Sequence, residues 1–139
     1  MNEIEAHQIR SSLAGSRVLV VGGDPCPKTI QRIESCLRLD RAIHCPTRKS
    51  DASSRRFQSR LHDPRLALVV CARGLTRTQH GADLHALCRD LQLPLLNCNH
   101  IPHPNAIVAA VAVARLTKAL ADRCAAIKGC AACVIGGAA

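Results

Sequence analysis

The residues with the clearest chemical spacing come at the end of the apolar run Leu66 to Cys71. Five residues separate Cys71 from Arg77, and Thr78 follows at once, so a thiol precedes a short loop and an arginine opens the next predicted helix. N–H groups at a helix start bind phosphate oxygens and lower a thiol pKa, and arginine can clamp two oxygens at once. This order favours attack of a Cys71 thiolate on a phosphate ester, with Thr78 assisting the thiolate when it leaves.

The same spacing resembles the Cys-x5-Arg-Ser/Thr loop of cysteine-dependent phosphatases. Such an enzyme also needs a general acid, for which the candidates are Asp24 and Asp63, each followed by proline. The alternative is that Cys71 is a small buried residue at a strand end, followed by an ordinary basic turn. Catalysis by Cys71, Arg77 and Thr78 is therefore the second of two hypotheses about function.

A group of potential metal ligands follows the last apolar strand: Cys98, His100 and His103. Thiolate and imidazole groups suit zinc, iron or copper. Three further histidines could reach the same sheet edge: His44, His80 and His85. The Cys-Pro pairs at Cys26 and Cys45 resemble heme-responsive motifs. Zinc, iron or heme is thus one prediction for this segment, and loop histidines satisfied by solvent are the alternative.

A glycine turn closes the first apolar run, Val18 to Val21, which has no alternating polar residue and so reads as a strand buried on both faces. The turn is Gly-Gly-Asp rather than G-x-G-x-x-G, and no acidic residue ends the second strand, which disfavours a dinucleotide. An anionic ligand, such as one with a phosphate group, is expected instead. Its predicted contacts are Gly22, Gly23, His44, Arg48, Arg73 and Arg77.

Strands and helices alternate along the chain, which predicts a three-layer, Rossmann-like α/β domain with a four-stranded, mainly parallel sheet. Right-handed crossovers give the strand order 2-1-3-4 and put the ligand site at the carboxyl ends of strands one and three. The predicted strands are 18–21, 41–44, 66–71 and 93–97, and the main helices are 24–40, 79–91 and 105–122. The domain spans 17–122, between a polar lead-in (1–16) and an Ala/Gly/Cys-rich tail (123–139) that favours disorder over a Cys-x-x-Cys zinc site.

The amino-acid composition limits the kinds of binding partner and the cellular setting that are expected. The formal charge of +9 over 139 residues favours acidic partners, with solvated surface arginines as the alternative. Phe57 is the one aromatic residue, which argues against nucleic-acid binding by base stacking. Nine cysteines spread through predicted strands and helices, after a polar N-terminus, predict a reducing, cytoplasmic setting.

The longest apolar run, Ala106 to Ala114, falls short of the roughly 20 residues of a membrane span. It predicts a helix that is either sandwiched within the domain or in contact with a second subunit, and a homodimer is therefore expected.

Several of these features are similar to the DUF2325 domain, a bacterial family of unknown function: the Val-Val-Gly-Gly turn, His44-x-x-x-Arg48, Cys88, Pro94 and the small-residue helix that follows. The resemblance covers residues 17–120. It implies a compact Rossmann-like domain and lends no established reaction. Where the family shows His-Asp-Gly-Arg, this chain has His-Cys-Pro-Thr-Arg, and the family's Ser-His pair has no aligned counterpart. The first hypothesis is a small regulatory domain that binds an anionic ligand, a metal or heme.

Overall fold

The computed structural model describes residues 3–23, 26–45, 59–72 and 78–136, with side chains described through residue 127 except those of 78–82. The main helices and strands, in chain order, are α1 (Glu3–Leu13), β1 (Arg17–Val21), α2 (Pro27–Cys36), β2 (Arg41–Cys45), β3 (Leu66–Ala72), α3 (Thr78–Asp90), β4 (Leu95–Cys98), α4 (Pro104–Val113) and α5 (Thr117–Gly136). Residues 59–61, just before β3, are also helical.

The four strands form one parallel sheet in the order β2-β1-β3-β4. The predicted fold class and strand order are confirmed. Every residue of β3 is buried, and so is every residue of β1 after Arg17, as expected for apolar runs without polar alternation. β4 begins at Leu95, two residues later than predicted. Pro94 has no N–H for the ladder, although its carbonyl O accepts a hydrogen bond from the N–H of Val69.

Alternate strand residues point to opposite faces of the sheet, and each face has its own core. On one face, here called the four-helix face, strand residues pack with residues of α1, α2, α4 and α5; its members include Val18, Val20, Leu68, Ile33, Leu13, Ile107 and Leu120. On the other, here called the α3 face, strand residues pack with α3 and with the helical residues before β3; its members include Leu19, Val21, Val69, Leu84, Cys88 and Leu61.

The placement of α2 and α3 follows from the handedness of parallel crossovers. The chain moves from β1 to β2 in one direction across the sheet and from β3 to β4 in the other. Right-handed connections then require the two linking helices to lie on opposite faces. Ile30 and Ile33 of α2 accordingly belong to the four-helix face, and Leu84 and Cys88 of α3 to the other.

The predicted helix over 105–122 is wrong in its extent, because two helices occupy this region. α4 ends at Val113, Arg115 takes a left-handed φ of 57°, and α5 starts at Thr117 with its axis bent by 112° from that of α4. Within the described residues no single helix is long and apolar enough to cross a membrane; α4 and residues 117–127 meet that criterion only as a bent pair.

Residues on both sides of the predicted domain, 17–122, contribute to the core. α1, in the predicted polar lead-in, buries Ile9 and Leu13 and packs against α4 and α5. α5 continues past the predicted boundary at residue 123 and reaches Gly136, with Cys124 and Ile127 buried on the four-helix face. The predicted disordered tail is therefore helical through residue 136.

Candidate functional site

The carboxyl end of β1 runs into a two-glycine turn. Gly22 and Gly23 have φ of 118° and 77°, a region that residues with a Cβ rarely enter, and both are buried. The N–H of Gly22 donates to the carbonyl O of Cys45 at 3.1 Å, which ties the turn to the end of β2. The glycines therefore form a fixed backbone wall at the carboxyl edge of the sheet.

His44 lies on β2 beside this turn, opposite Val20 of β1, and is half-buried. Its Nε2 is 2.7 Å from the carbonyl O of Gly22. Because a carbonyl oxygen only accepts, Nε2 donates, and in the neutral ring Nδ1 then has the lone pair. Nδ1 lies 4.0 Å from the Sγ of Cys26. His44 thus connects the glycine turn to the start of α2.

The start of α2 has the features of an anion-binding helix end. Its N-cap residue, Cys26, makes no side-chain hydrogen bond to the helix, and Pro27 occupies the first helical position. The first turn has no acidic residue but does contain Lys28, whose side chain is exposed. A helix N-terminus attracts anions through unpaired N–H groups and the positive end of the helix dipole. Lys28 adds a full positive charge at the same place.

Three of the six residues predicted to contact an anion meet at this edge: Gly22, Gly23 and His44. The other three lie outside the described residues: Arg48, Arg73 and Arg77. By position in the chain, the first two follow the ends of β2 and β3 within three residues. Their contacts with a ligand stay predictions.

Cys71 does not lie where a phosphatase nucleophile would. β3 extends to Ala72, so Cys71 is an interior strand residue, and its side chain is fully buried on the α3 face. Burial, and then the charge that Cys71 itself would develop, raise the pKa of the neighbouring Cys88 to about 12. A phosphate ester has no access to a sulfur buried in this way.

Of the partners proposed for Cys71, only Asp63 has a described side chain. Thr78 is the first residue of α3, but its side chain is not among those described. Asp24 lies outside the described residues. Asp63 precedes β3 and bonds to Arg17 at the start of β1, which is the amino edge of the sheet. A carboxylate there is a sheet length away from the end of β3 and cannot protonate a leaving group at the predicted loop.

The predicted metal ligands Cys98, His100 and His103 do not converge. Within the described residues no three His, Cys, Asp or Glu side chains are grouped so that they could hold a metal ion. His103 is the N-cap of α4, and its Nδ1 accepts from the N–H of Asn105 at 3.4 Å. Burial raises the pKa of the Cys98 thiol, which disfavours the thiolate that a metal needs. Zinc, iron or heme at these residues stays a prediction.

His44 cannot join that group, because β2 and β4 are the two outer strands of the sheet. Three strand spacings separate them, about 14 Å. His85 lies on the β4 side, where its Nε2 donates to the Oδ1 of Asn97 at 3.1 Å. The side chain of His80 lies outside the described residues.

Two clefts lie beside α1, away from the glycine turn. One, of about 410 Å³, lies between the ends of α1 and α2 and is lined by basic side chains, among them His7, Arg10 and Arg38. Positive charge at a helix C-terminus is favourable in itself, so these residues need no ligand to explain them. The other cleft, between α1 and α5, is more apolar and includes Ile4, which is 80% exposed.

The contact between Cys26 and His44 is not predicted from the sequence, although the strand pattern contains a signal for it. Strand alternation places His44 on the same face as Ala42, toward α2, and parallel pairing brings the end of β2 to the glycine turn. The ion pairs of Arg17 at the opposite edge are not predicted either, because the two carboxylates come from separate connections.

Comparison of the sequence with protein-family models gives no match, and searches of curated proteins and of solved structures give none either.

Proposed function

We propose that this protein is a small ligand-binding domain that takes an anionic molecule at the carboxyl edge of its sheet, beside the glycine turn. The observation behind the proposal is the start of α2, which has no side-chain cap and no first-turn acid but has Lys28, next to the fixed turn and His44. A phosphate or carboxylate group is the chemistry that these features attract.

The strand order supports the location. From β1 the chain passes to β2 on one side, while β3 lies on the other side of β1. In open parallel sheets, ligands bind outside the carboxyl ends of the strands where the order reverses in this way. Gly22 and Gly23 add no side chains to that edge.

His44 gives the site a second mode of contact. In the neutral ring its Nδ1 is an acceptor, but in the charged ring both nitrogens donate. A ring with a proton on each nitrogen would donate to the ligand through Nδ1 and to Gly22 through Nε2. Arg48, Arg73 and Arg77 are proposed to add charge around the ligand, as expected from their positions after β2 and β3.

The predicted family resemblance, cellular location and oligomeric state rest on the sequence alone. The DUF2325-like features, the cytoplasmic location and the homodimer stay predictions, and they are compatible with a regulatory domain of this size. For the homodimer, α4 buries Ile107, Val108 and Val111 within its own domain, and Val113 is 83% exposed. The phosphatase hypothesis is weaker, since it requires reaction at the buried Cys71.

Binding of inorganic phosphate tests the proposal through thermal stability. A ligand that binds only the folded state raises the melting temperature by mass action. Phosphate should therefore raise it above the value in sodium chloride of equal ionic strength, and Lys28→Gln should reduce this increment. Differential scanning fluorimetry over a phosphate series measures both.

Lys118→Gln is the matched control. Lys118 also lies in the first turn of a helix without a first-turn acid, and it is exposed. It belongs to the other edge of the sheet, because Arg123, one turn further along α5, donates through Nε to the carbonyl O of Leu66 at the start of β3. An equal loss of the phosphate increment in both variants, or no increment in the unmodified protein, contradicts the proposed site.

A further inference from the structure

Cys26 and His44 form a thiol–base pair with a fixed orientation. The hydrogen bond from Nε2 to Gly22 holds the ring and assigns the proton of the neutral form to that nitrogen. The remaining lone pair, on Nδ1, is then the atom 4.0 Å from the Cys26 Sγ. A nucleophile, a base beside it and a third group that orients the base are the elements of an activated cysteine.

The surroundings of Cys26 make that base necessary. Burial raises the pKa of the Cys26 thiol, so little thiolate forms without assistance. Transfer of the proton to Nδ1 of His44 supplies the thiolate during a reaction. The new negative charge then lies at the N-cap of α2, where first-turn N–H groups and Lys28 stabilise it.

The other described cysteines lack this combination. Four are buried in the two cores: Cys45, Cys71, Cys88 and Cys124. Cys98 is half-buried, but it is the last residue of β4 rather than the start of a helix. Cys36 is exposed and lines the basic cleft between α1 and α2. It is nevertheless the last residue of α2, at the negative end of the helix dipole. One helix therefore has a half-buried cysteine beside a histidine at its start and an exposed cysteine at its end.

We propose that Cys26 is a reactive thiol that exchanges with anionic, low-molecular-weight disulfides. The Sγ of Cys26 forms a bond to one sulfur of the disulfide while the existing S–S bond breaks. The proton taken up by His44 passes to the departing thiolate, so a mixed disulfide and one free thiol result. The preference for anionic disulfides shares the positive helix end with the proposed function, whereas the thiol–imidazole pair does not depend on it.

Competition between Cys26 and Cys36 in one molecule tests the inference. The reduced, full-length protein is treated with glutathione disulfide, which is anionic, or with cystamine, which is cationic, and the mixed disulfides are quantified at each cysteine by peptide mass spectrometry. With glutathione disulfide, Cys26 should react faster than Cys36, against the order of their exposure. Because basic side chains also lie near Cys36, the charge preference is read from Cys26 alone. The Cys26 rate in the folded protein, divided by its rate in the urea-unfolded protein, should be lower with cystamine than with glutathione disulfide.

Two variants separate the role of His44 as a base from the proposed anion site at the start of α2. His44→Gln keeps an N–H donor for Gly22 but has no basic nitrogen, so the Cys26 rate should fall at least about tenfold while that of Cys36 is unchanged. Lys28→Gln should reduce the phosphate-induced rise in melting temperature while Cys26 still reacts faster than Cys36, which keeps this inference distinct from the proposed function.

Faster reaction at Cys36, or an unchanged Cys26 rate in a folded His44→Gln protein, overturns the reactive pair. An equal or higher folded-to-unfolded rate ratio at Cys26 with cystamine overturns the anionic class of disulfide. The comparison of Cys26 with Cys36 in the unmodified protein needs no variant. It therefore tests the reactivity of Cys26 even if His44→Gln does not fold.

Discussion

At the residue scale, Arg17 links three segments at the amino edge of the sheet. Its Nε and one terminal nitrogen each lie 2.8 Å from a carboxylate, Asp40 before β2 and Asp63 before β3. The hydrogen bond from Arg17 lowers the pKa of Asp40. For Asp63, burial acts to raise the pKa, but hydrogen bonds from the Arg17 side chain and the Arg65 N–H outweigh it, and the pKa is lowered.

The two carboxylates should make stability depend on acid pH. Their pKa values are lower in the folded protein than in the unfolded chain, where aspartate titrates at about 3.9. They therefore stabilise the fold above that pH, and their contribution is lost as pH falls through the folded pKa. Asp63→Asn should lower the free energy of unfolding at pH 7 by about 1 kcal/mol and have a smaller effect at about pH 3.

Urea unfolding at both pH values measures this effect. Asp90→Asn, an exposed residue of α3, is the control and should leave both values close to those of the unmodified protein. If Asp63→Asn costs as much stability at about pH 3 as at pH 7, the ion pairs of Arg17 do not contribute as described.

Residue positions within the candidate site were predictable where they follow from strand ends. Gly22, Gly23 and His44 come at the ends of two apolar runs, and parallel strands that pair side by side end at the same edge. Cys71 lies in the strand predicted over 66–71, and it is buried, as the alternative interpretation expects. It shares the α3 face with Val69, two residues earlier, and strand alternation therefore places its side chain in that core.

At the element scale, three helices end in the same way without a glycine. Arg38, Gln92 and Arg115, which follow α2, α3 and α4, have φ of 53°, 56° and 57°. In each case the next residue is a leucine whose N–H donates to a carbonyl five residues back: Leu39 to Glu34, Leu93 to Cys88 and Leu116 to Val111. This is the Schellman pattern, in which a hydrophobic residue after the left-handed position packs on the helix end.

These endings explain why the break between α4 and α5 was missed. Sequence reasoning looks for glycine or proline at a helix end, and residues 114–117 contain neither. The position is instead decided by Leu116, which packs against the four-helix core. The packing of Leu116, which depends on the tertiary structure, offsets the free-energy cost of the left-handed backbone conformation at Arg115.

Glycine at one of these positions should stabilise the protein. A Cβ in the left-handed region costs about 1 kcal/mol, which exceeds the entropy that glycine adds to the unfolded chain. Gln92→Gly should therefore raise the free energy of unfolding by up to about 1 kcal/mol. Gln31→Gly, at an exposed position within α2, should lower it by about the same amount. Urea denaturation of the pair gives both signs, and a loss of stability in Gln92→Gly contradicts the helix-end geometry.

At the scale of the whole molecule, the fold was predictable because uniformly apolar strand segments recur along the chain. Apolar runs too uniform for a half-exposed sheet imply helices on both faces, and right-handed crossovers then leave the order 2-1-3-4. The first and last helices extend beyond what the sequence predicts. α1 and α5 contribute apolar residues to one core, but the many Ala and Cys residues of α5 give it little periodicity in sequence.

The ligand site can be located across the whole molecule by amide NMR during a titration with inorganic phosphate. Binding at the proposed edge predicts the largest saturable shifts at the turn, at the start of α2 and at β2, at residues Gly22, Gly23, Lys28, Thr29 and His44. The second basic surface, the cleft lined by His7, Arg10 and Arg38, provides the internal comparison. Shifts confined to that cleft, or no saturable shift at the glycine turn, would contradict an anion site at the carboxyl edge of the sheet.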